Sequence, residues 1–363
     1  MPQSSSNRPM QAAVYREFGG PIRIEHVPIP PISPDGVLVQ VMATGVCRSD
    51  WHGWKGHDDD VKEHGLPFVP GHELSGIVVR VGRSVKQFSV GDRVTAPFIL
   101  SCGNCRYCHR NRTTVCSNQQ QPGFTYWGSF AEYVAIPRAD RNVKRIPDSV
   151  SFVQAASLGC RFTTAYRAVK QQGQLQQGES IAIFGAGGVG LSCVMMAASM
   201  GANIIVAIDL SNEGLELAIQ LGATHVVQAS AKDCCQQVQR ICGGDGADLC
   251  VDAAGFAETC ENAVLCTRPA GRMVQVGLPI GDHRPQVPMG RVAGKEIEII
   301  GSHGFAADDL PELLDMVATS SLDPAKLVRR EVSLREGAIE LENMDKGSPI
   351  GITMIVRFNE SKL

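Results

Sequence analysis

Apolar and polar positions along the chain follow two rhythms. Between about residues 12 and 138, short apolar runs alternate with loops rich in Pro and Gly. The runs are VLVQVMA (37–43), GIVVRVG (76–82) and FAEYVAI (130–136), and they predict strands of an irregular, mostly-β domain. Near Ser151 the spacing turns helical, in SFVQAASLGCRFTTAYRAVK. Strand-like and helix-like segments then alternate: IAIFG, a helix over 188–200, NIIVAID, a helix over 213–221, HVVQ, and a helix around Gln236. ADLCVDAA, a helix over 258–266, RMVQVG and EIEIIGS complete the series. This alternation predicts a doubly wound parallel sheet with helices on both faces. Two more helical stretches and a last strand, ITMIVRF (352–358), follow Ser302. The fold class expected is therefore α/β, with a mostly-β domain beside a parallel-sheet domain.

Residues 181–208 carry no charge over 28 positions, long enough to raise a membrane span. Five glycines between 185 and 201 divide the run, so a buried strand–helix–strand unit fits better. The chain of 363 residues has 44% hydrophobic and 20% charged positions and a net charge of −3, which suits a globular protein of about two domains. No basic excess points to nucleic acid. The opening MPQSSSNRPM is polar, so residues 1–10 are expected to form a flexible tail, with no secretory signal and a cytoplasmic location. Thirteen cysteines then suggest metal ligation and buried thiols rather than disulfides.

Gly185-Ala186-Gly187-Gly188-Val189-Gly190 follows the strand IAIF and opens an apolar helix, and Asp209 ends the next strand 19 residues after Gly190. This is the pattern of a dinucleotide-binding unit. Gly185 permits the tight turn, Gly187 lets a pyrophosphate approach the backbone, and Gly190 lets helix and strand pack closely. The helix N-terminus offers free N–H groups to phosphate. Asp209 can accept from ribose hydroxyls and repels a 2′-phosphate, which favours NAD over NADP.

Cys102, Cys105, Cys108 and Cys116 place four thiols within fifteen residues. Such a set fills a zinc tetrahedron and leaves no corner for substrate, so the expected role is structural.

Cys47-Arg48-Ser49-Asp50 and Gly71-His72-Glu73, in order with the four-Cys loop and the glycine-rich loop, resemble the zinc-containing alcohol dehydrogenases of the medium-chain dehydrogenase/reductase family. The resemblance spans about residues 11–358. It implies a GroES-like catalytic domain over 11–160 and 302–363, and a Rossmann domain over 161–301. It implies a second, catalytic zinc held by Cys47, His72 and Cys160, with a fourth position left for water or alcohol. Asp50 is then expected to bond the second ring nitrogen of His72, and Glu73 to lie near the metal. By the same resemblance Ser49 bonds the alcohol oxygen and His52 ends a proton relay through the nicotinamide ribose. Arg48 is expected on the pyrophosphate, and Thr164 and Val189 against the nicotinamide. Two positions depart from the family pattern: Ile352 stands where relatives often carry a second Arg, and Gly214 where they often carry Lys.

Trp54 and Phe98 fall on loops that line the family's substrate pocket, and Trp127 is a further candidate; ordinary core packing is the competing account of all three. An aromatic pocket favours primary or aromatic alcohols, oxidised reversibly to aldehyde or ketone. The alternatives are a polyol or glutathione-adduct dehydrogenase, or a zinc-stabilised redox sensor without turnover. The resemblance also implies a homodimer or homotetramer acting on a small molecule. Cys193, Cys234, Cys235, Cys242, Cys250, Cys260 and Cys266 show no ligand spacing and are expected to be buried or adventitious thiols.

Overall fold

The computed structural model describes residues 8–278, 284–347 and 349–359. The chain divides into two compact units. One comprises Met1–Cys160, Phe305–Ala318 and Val328–Leu363, the other Arg161–Gly304 and Thr319–Leu327. The sequence expectation kept all of 302–363 with the first unit. Residues 302–304 and 319–327 group instead with the second, where the short helix Pro324–Leu327 packs on the helix Gly188–Ser199.

In the second unit six parallel strands lie in the order His225–Gln228, Ile204–Asp209, Ser180–Phe184, Ala247–Asp252, Thr267–Gln275, Glu298–Gly301. The order reverses between Ser180–Phe184 and Ala247–Asp252, the switch point at which such sheets take ligands. The uncharged run 181–208 resolves into strand, helix and strand, and among the described residues no helix is long and apolar enough to cross a membrane. Gly190 explains how the helix sits so low on the sheet: a Cβ there would fall 1.7 Å from the Gly185 carbonyl oxygen. Ala182, Phe184, Val206, Ile208 and Cys250 fill one core of this unit.

In the first unit the sheet runs Val328–Ser333, Ile352–Arg357, Val37–Val46, Glu73–Val81, Arg93–Thr95, Lys144–Arg145, with Tyr133–Ile136 also paired to Val37–Val46. The central pair is antiparallel and sets Gly45 opposite Glu73. Met10–Tyr15 pairs with Ile22–Val27. Met10 is therefore not tail: it opens a strand and is 1% exposed, its side chain being apolar and packed in the β core. Residues 1–7 of the expected tail lie outside the described residues. The strand Val328–Ser333 escapes the hydrophobic pattern because it is an edge strand with exposed Arg329, Arg330 and Glu331.

Candidate metal centres and dinucleotide loop

Three elements of the first unit converge on one buried group. The seven-residue helix Arg48–Trp54 starts at Cys47, the strand Glu73–Val81 starts beside His72, and the helix that opens at Ser151 reaches Cys160 in a π-helical turn, Leu158–Phe162. Ser151 caps that helix through its hydroxyl, which accepts from Gln154 N–H at 3.1 Å. π turns widen a helix locally and recur at functional sites.

The ligand atoms of Cys47, His72, Glu73 and Cys160 all lie within 4.8 Å of one another. All four residues are buried. Asp50, 1% exposed, organises the group. Its Oδ1 lies 2.9 Å from His72 Nδ1 and accepts from Gly71 N–H at 2.9 Å, and its Oδ2 accepts from Cys47 N–H at 3.1 Å. Burial works against a charged imidazole here, but the Asp50 carboxylate outweighs it and holds the His72 pKa well above its ordinary value. With Nδ1 committed to Asp50, Nε2 is the free coordinating atom. It is buried and makes no hydrogen bond of proper geometry, although the Cys47 sulfur lies close enough to act on the ring. Two sulfurs and one such nitrogen suit zinc.

Glu73 is fixed in this group by two glycines. A Cβ at Gly45 would lie 2.1 Å from Glu73 Oε2, and one at Gly159 2.6 Å from Glu73 Cα. Only hydrogen-sized side chains let one strand close on the Glu73 carboxylate and the helix on its backbone.

Phe98 borders the group, its ring 6.0 Å from the His72 ring, and packs with Cys47, Ile99 and Cys160. Phe124, which the sequence reading missed, lies closer, at 5.0 Å. Its position in the irregular 121–130 loop gave no periodic signal. Trp54 is 3% exposed, packs with Tyr15, Val61, Phe68 and Phe124, and donates from Nε1 to Gly20 O at 2.7 Å. Trp127 packs against the same cluster as Trp54 and Phe124. It donates from Nε1 to Pro67 O and lines a separate cavity of about 600 Å³ with Pro28–Pro31 and Leu66, none of them a candidate ligand.

Ser49 and His52 stand on the helix Arg48–Trp54, both half-buried. Burial chiefly, with Arg48 and His57 adding repulsion, presses the His52 pKa down to about 4. Arg48 is engaged within its own unit: Nη1 donates to Met344 O at 2.6 Å and the guanidinium lies 3.5 Å over the Trp51 ring. Ile352 is 1% exposed in the central sheet, an apolar position where an Arg would need a partner.

The second cysteine group is more regular. Sγ–Sγ distances are 3.9 Å for Cys102–Cys108, 3.6 Å for Cys105–Cys108 and 3.8 Å for Cys105–Cys116. A tetrahedron with zinc–sulfur bonds of about 2.3 Å has edges of about 3.8 Å. Backbone N–H groups of Cys102 and Asn118 point at the Cys116 sulfur and that of Asn104 at the Cys102 sulfur, as a cluster of thiolates requires. Hydrogen bonding from the Cys108 backbone chiefly lowers the Cys105 thiol to about 5. Among the described residues no third group of metal-ligating side chains occurs, and the other seven cysteines stay outside any such group.

In the second unit Gly185 adopts φ 99°, the left-handed turn conformation, and Gly188 opens the helix Gly188–Ser199. A Cβ at Gly187 would meet nothing within 4 Å, so that face of the loop is open. Asp209 ends its strand with Oδ2 accepting from Ala186 N–H at 2.6 Å and Oδ1 from Ser211 N–H at 2.7 Å. The carboxylate thus ties the glycine-rich loop to the next helix. Gly214 follows from that closeness, since a Cβ there would lie 3.3 Å from Ala186. Val189 is half-buried in the helix's first turn and Thr164 is buried in the helix Thr163–Tyr166.

Residues 33–148 match the family model of the alcohol dehydrogenase GroES-like domain, and residues 188–319 that of the zinc-binding dehydrogenases. An alcohol dehydrogenase of Geobacillus stearothermophilus is 40% identical over 85% of this chain and 89% of its own length. A sorbitol dehydrogenase of Bacillus subtilis is 35% identical over 90% of this chain and 91% of its own. Among solved structures, the alcohol dehydrogenase TADH from Thermus sp. ATN1 superposes with a TM-score of 0.87 at 31% identity, covering 96% of this chain and 100% of that one.

Proposed function

We propose, for a chain that belongs to the zinc-binding alcohol dehydrogenases, the reversible oxidation of primary or aromatic alcohols by NAD at a zinc held by Cys47, His72 and Cys160. The chain is an enzyme, an oxidoreductase of alcohols that uses a nicotinamide cofactor. The observation that carries the finer reading is the buried convergence of two thiols and an imidazole whose other nitrogen is already committed to Asp50.

When bound, zinc supplies a Lewis acid that makes an alcohol O–H acidic near neutral pH, and the nicotinamide ring supplies the hydride acceptor. The protein's own groups do the rest. Asp50 fixes the His72 tautomer and, through the Cys47 N–H, the start of the helix that bears Ser49. The Ser49 hydroxyl accepts the alcohol's proton and gives up its own toward His52. His52, neutral above about pH 4, is available as the acceptor. The Glu73 carboxylate has an oxygen within 4.8 Å of the other three candidate ligand atoms and offsets positive charge there. Cys102, Cys105, Cys108 and Cys116 hold a second, structural zinc.

NAD rather than NADP follows from Asp209, whose charge at the strand end opposes a 2′-phosphate. Gly187 and the N-terminus at Gly188 accept the pyrophosphate, and Val189 and Thr164 border the nicotinamide. Phe98 and Phe124 give the metal group an apolar wall, which favours benzyl-type and simple primary alcohols over sugars. The sorbitol dehydrogenase relative supports a polyol substrate as the second reading. The enzyme is proposed to act in the cytoplasm as a homodimer or homotetramer. The edge strand Glu298–Gly301, with Ile299 exposed, favours pairing between copies.

Steady-state rates with ethanol, benzyl alcohol, sorbitol and S-hydroxymethylglutathione, each with NAD and NADP, test this reading. Highest kcat/KM for benzyl alcohol with NAD supports it. Highest kcat/KM for sorbitol moves the assignment to the polyol enzymes.

A further inference from the structure

The helix Arg48–Trp54 ends in a geometry that positions a second histidine. Gly56 N–H donates to Gly53 O at 3.0 Å and His57 N–H to His52 O at 2.9 Å. Gly56 has φ 71°. These are the paired bonds and the left-handed glycine of a Schellman turn. The turn folds His57 back onto His52, and the two Nδ1 atoms lie 3.1 Å apart. The Trp51 ring meets both imidazoles edge-on, with centroids 4.9 Å from His52 and 5.4 Å from His57. Trp51 is itself held, by Nε1 donating to Asp345 Oδ1 at 2.8 Å and by the Arg48 guanidinium over its face. Backbone and packing therefore both fix the pair. His52 is half-buried and His57 is exposed.

Two ring nitrogens at this distance share one proton, one donating and the other accepting. We propose that His57 takes from His52 the proton released in alcohol oxidation and passes it to solvent. This rests on the reading of His52 as the acceptor of that proton. A proton arriving at His52 Nε2 releases the Nδ1 proton across the 3.1 Å gap to His57 Nδ1, and His57 loses its Nε2 proton to water. One proton enters and one leaves, no electrons move, and reduction of the aldehyde runs the path backward. The starting tautomers return as the rings exchange protons with water.

The charges around the pair favour transfer over storage. Arg48 and His57 oppose a charge on His52, and burial opposes it most, while the Cys47 sulfur favours it. Lys55 and Asp345, ion-paired at 2.9 Å, flank Trp51, which Asp345 also holds through its Nε1. A group with so low a proton affinity cannot hold a proton at neutral pH and must hand it on. His57 acts through His52, so it is a positioning residue in the path and touches neither substrate nor cofactor.

The test uses the full-length, metal-loaded enzyme with 15N-labelled histidine, as wild type, His57→Gln and His57→Ala. Long-range 1H–15N spectra at neutral pH are expected to show His52 as a single tautomer in the wild type and as a mixture in both variants. Alcohol oxidation by His57→Ala is expected to slow roughly tenfold in dilute buffer and to recover to within about twofold in concentrated phosphate, with the wild type insensitive to buffer. An unchanged His52 spectrum in the variants overturns the proposal. So does a rate that falls equally at every buffer concentration, which marks a purely structural role. Should the wild type oxidise no alcohol at all, the functional reading fails and the proton path with it, whatever the spectra show.

Discussion

Asp50 Oδ1 lies 2.9 Å from His72 Nδ1, and the same buried carboxylate accepts the Cys47 N–H through its other oxygen. One acid therefore sets the orientation of two of the three proposed zinc ligands. Asp50→Asn keeps the shape but turns an amide toward three groups that donate to it. The catalytic zinc should bind 10–100-fold more weakly, an order-of-magnitude expectation for loss of such a partner. Competition against a metal chelator, with folding checked by circular dichroism, measures this. Unchanged zinc affinity would show that Asp50 serves only the helix start.

The glycine-rich loop allows packing and ligand approach to be separated by two neighbouring substitutions. Gly187→Ala meets nothing within 4 Å, so its unfolding midpoint should stay within about 0.5 kcal/mol of wild type while NAD affinity falls. Gly190→Ala would drive a methyl to 1.7 Å from Gly185 O, and the second unit should lose stability by several kcal/mol, on the order of 3 or more. Denaturant titration and NAD fluorescence titration check both. Equal NAD affinity in Gly187→Ala would remove that face of the loop from the cofactor site.

Cys105 is central to the four-sulfur group, with Cys108 at 3.6 Å and Cys116 at 3.8 Å. Cys105→Ser should lose one zinc per chain and lower the thermal midpoint, because the loop has no apolar core of its own to replace the metal. Elemental analysis together with calorimetry measures both. Zinc content equal to wild type would contradict the structural assignment.

His52 links the site to pH. Its pKa near 4 in the folded chain lies below the 6.5 of an exposed histidine, so the unfolded chain takes up a proton first as pH falls. Stability contributed by this residue is unaffected above about pH 6.5 and declines from there toward pH 4. Discounted for partial exposure, the effect is on the order of 1 kcal/mol. His52→Gln should therefore lose less stability than wild type between pH 8 and pH 5, read as the shift in urea midpoint. An equal loss would mean that His52 is protonated normally in the fold.

The parts of this molecule that depend on local chemistry were legible in the sequence. Gly185 and Gly190 are demanded by a turn and a close approach within a few residues, and the four-Cys loop carries its ligands at fixed short spacing. The Cys47–His72–Cys160 group was reached only by resemblance, because three distant elements assemble it. The helix Arg48–Trp54 was not anticipated: seven residues hold too few turns for periodicity, and its start is written only in the Cys47–Asp50 capping arrangement. Phe124 was hidden because contact with His72 arises from the path of an irregular loop. The strand Val328–Ser333 was masked by the three charged residues that an edge position tolerates.

The central claim is that a zinc ion lies between Cys47, His72 and Cys160 with one coordination position open to small molecules. Zinc-edge X-ray absorption and anomalous diffraction on the purified enzyme test it most directly. The expected result is about two zinc ions per chain: one with four sulfurs, the other with two sulfurs, one imidazole and a fourth position that exchanges with an added alcohol or inhibitor. Zinc at the four-sulfur group alone, or a Glu73 carboxylate that no small molecule displaces from the fourth position, would contradict the account.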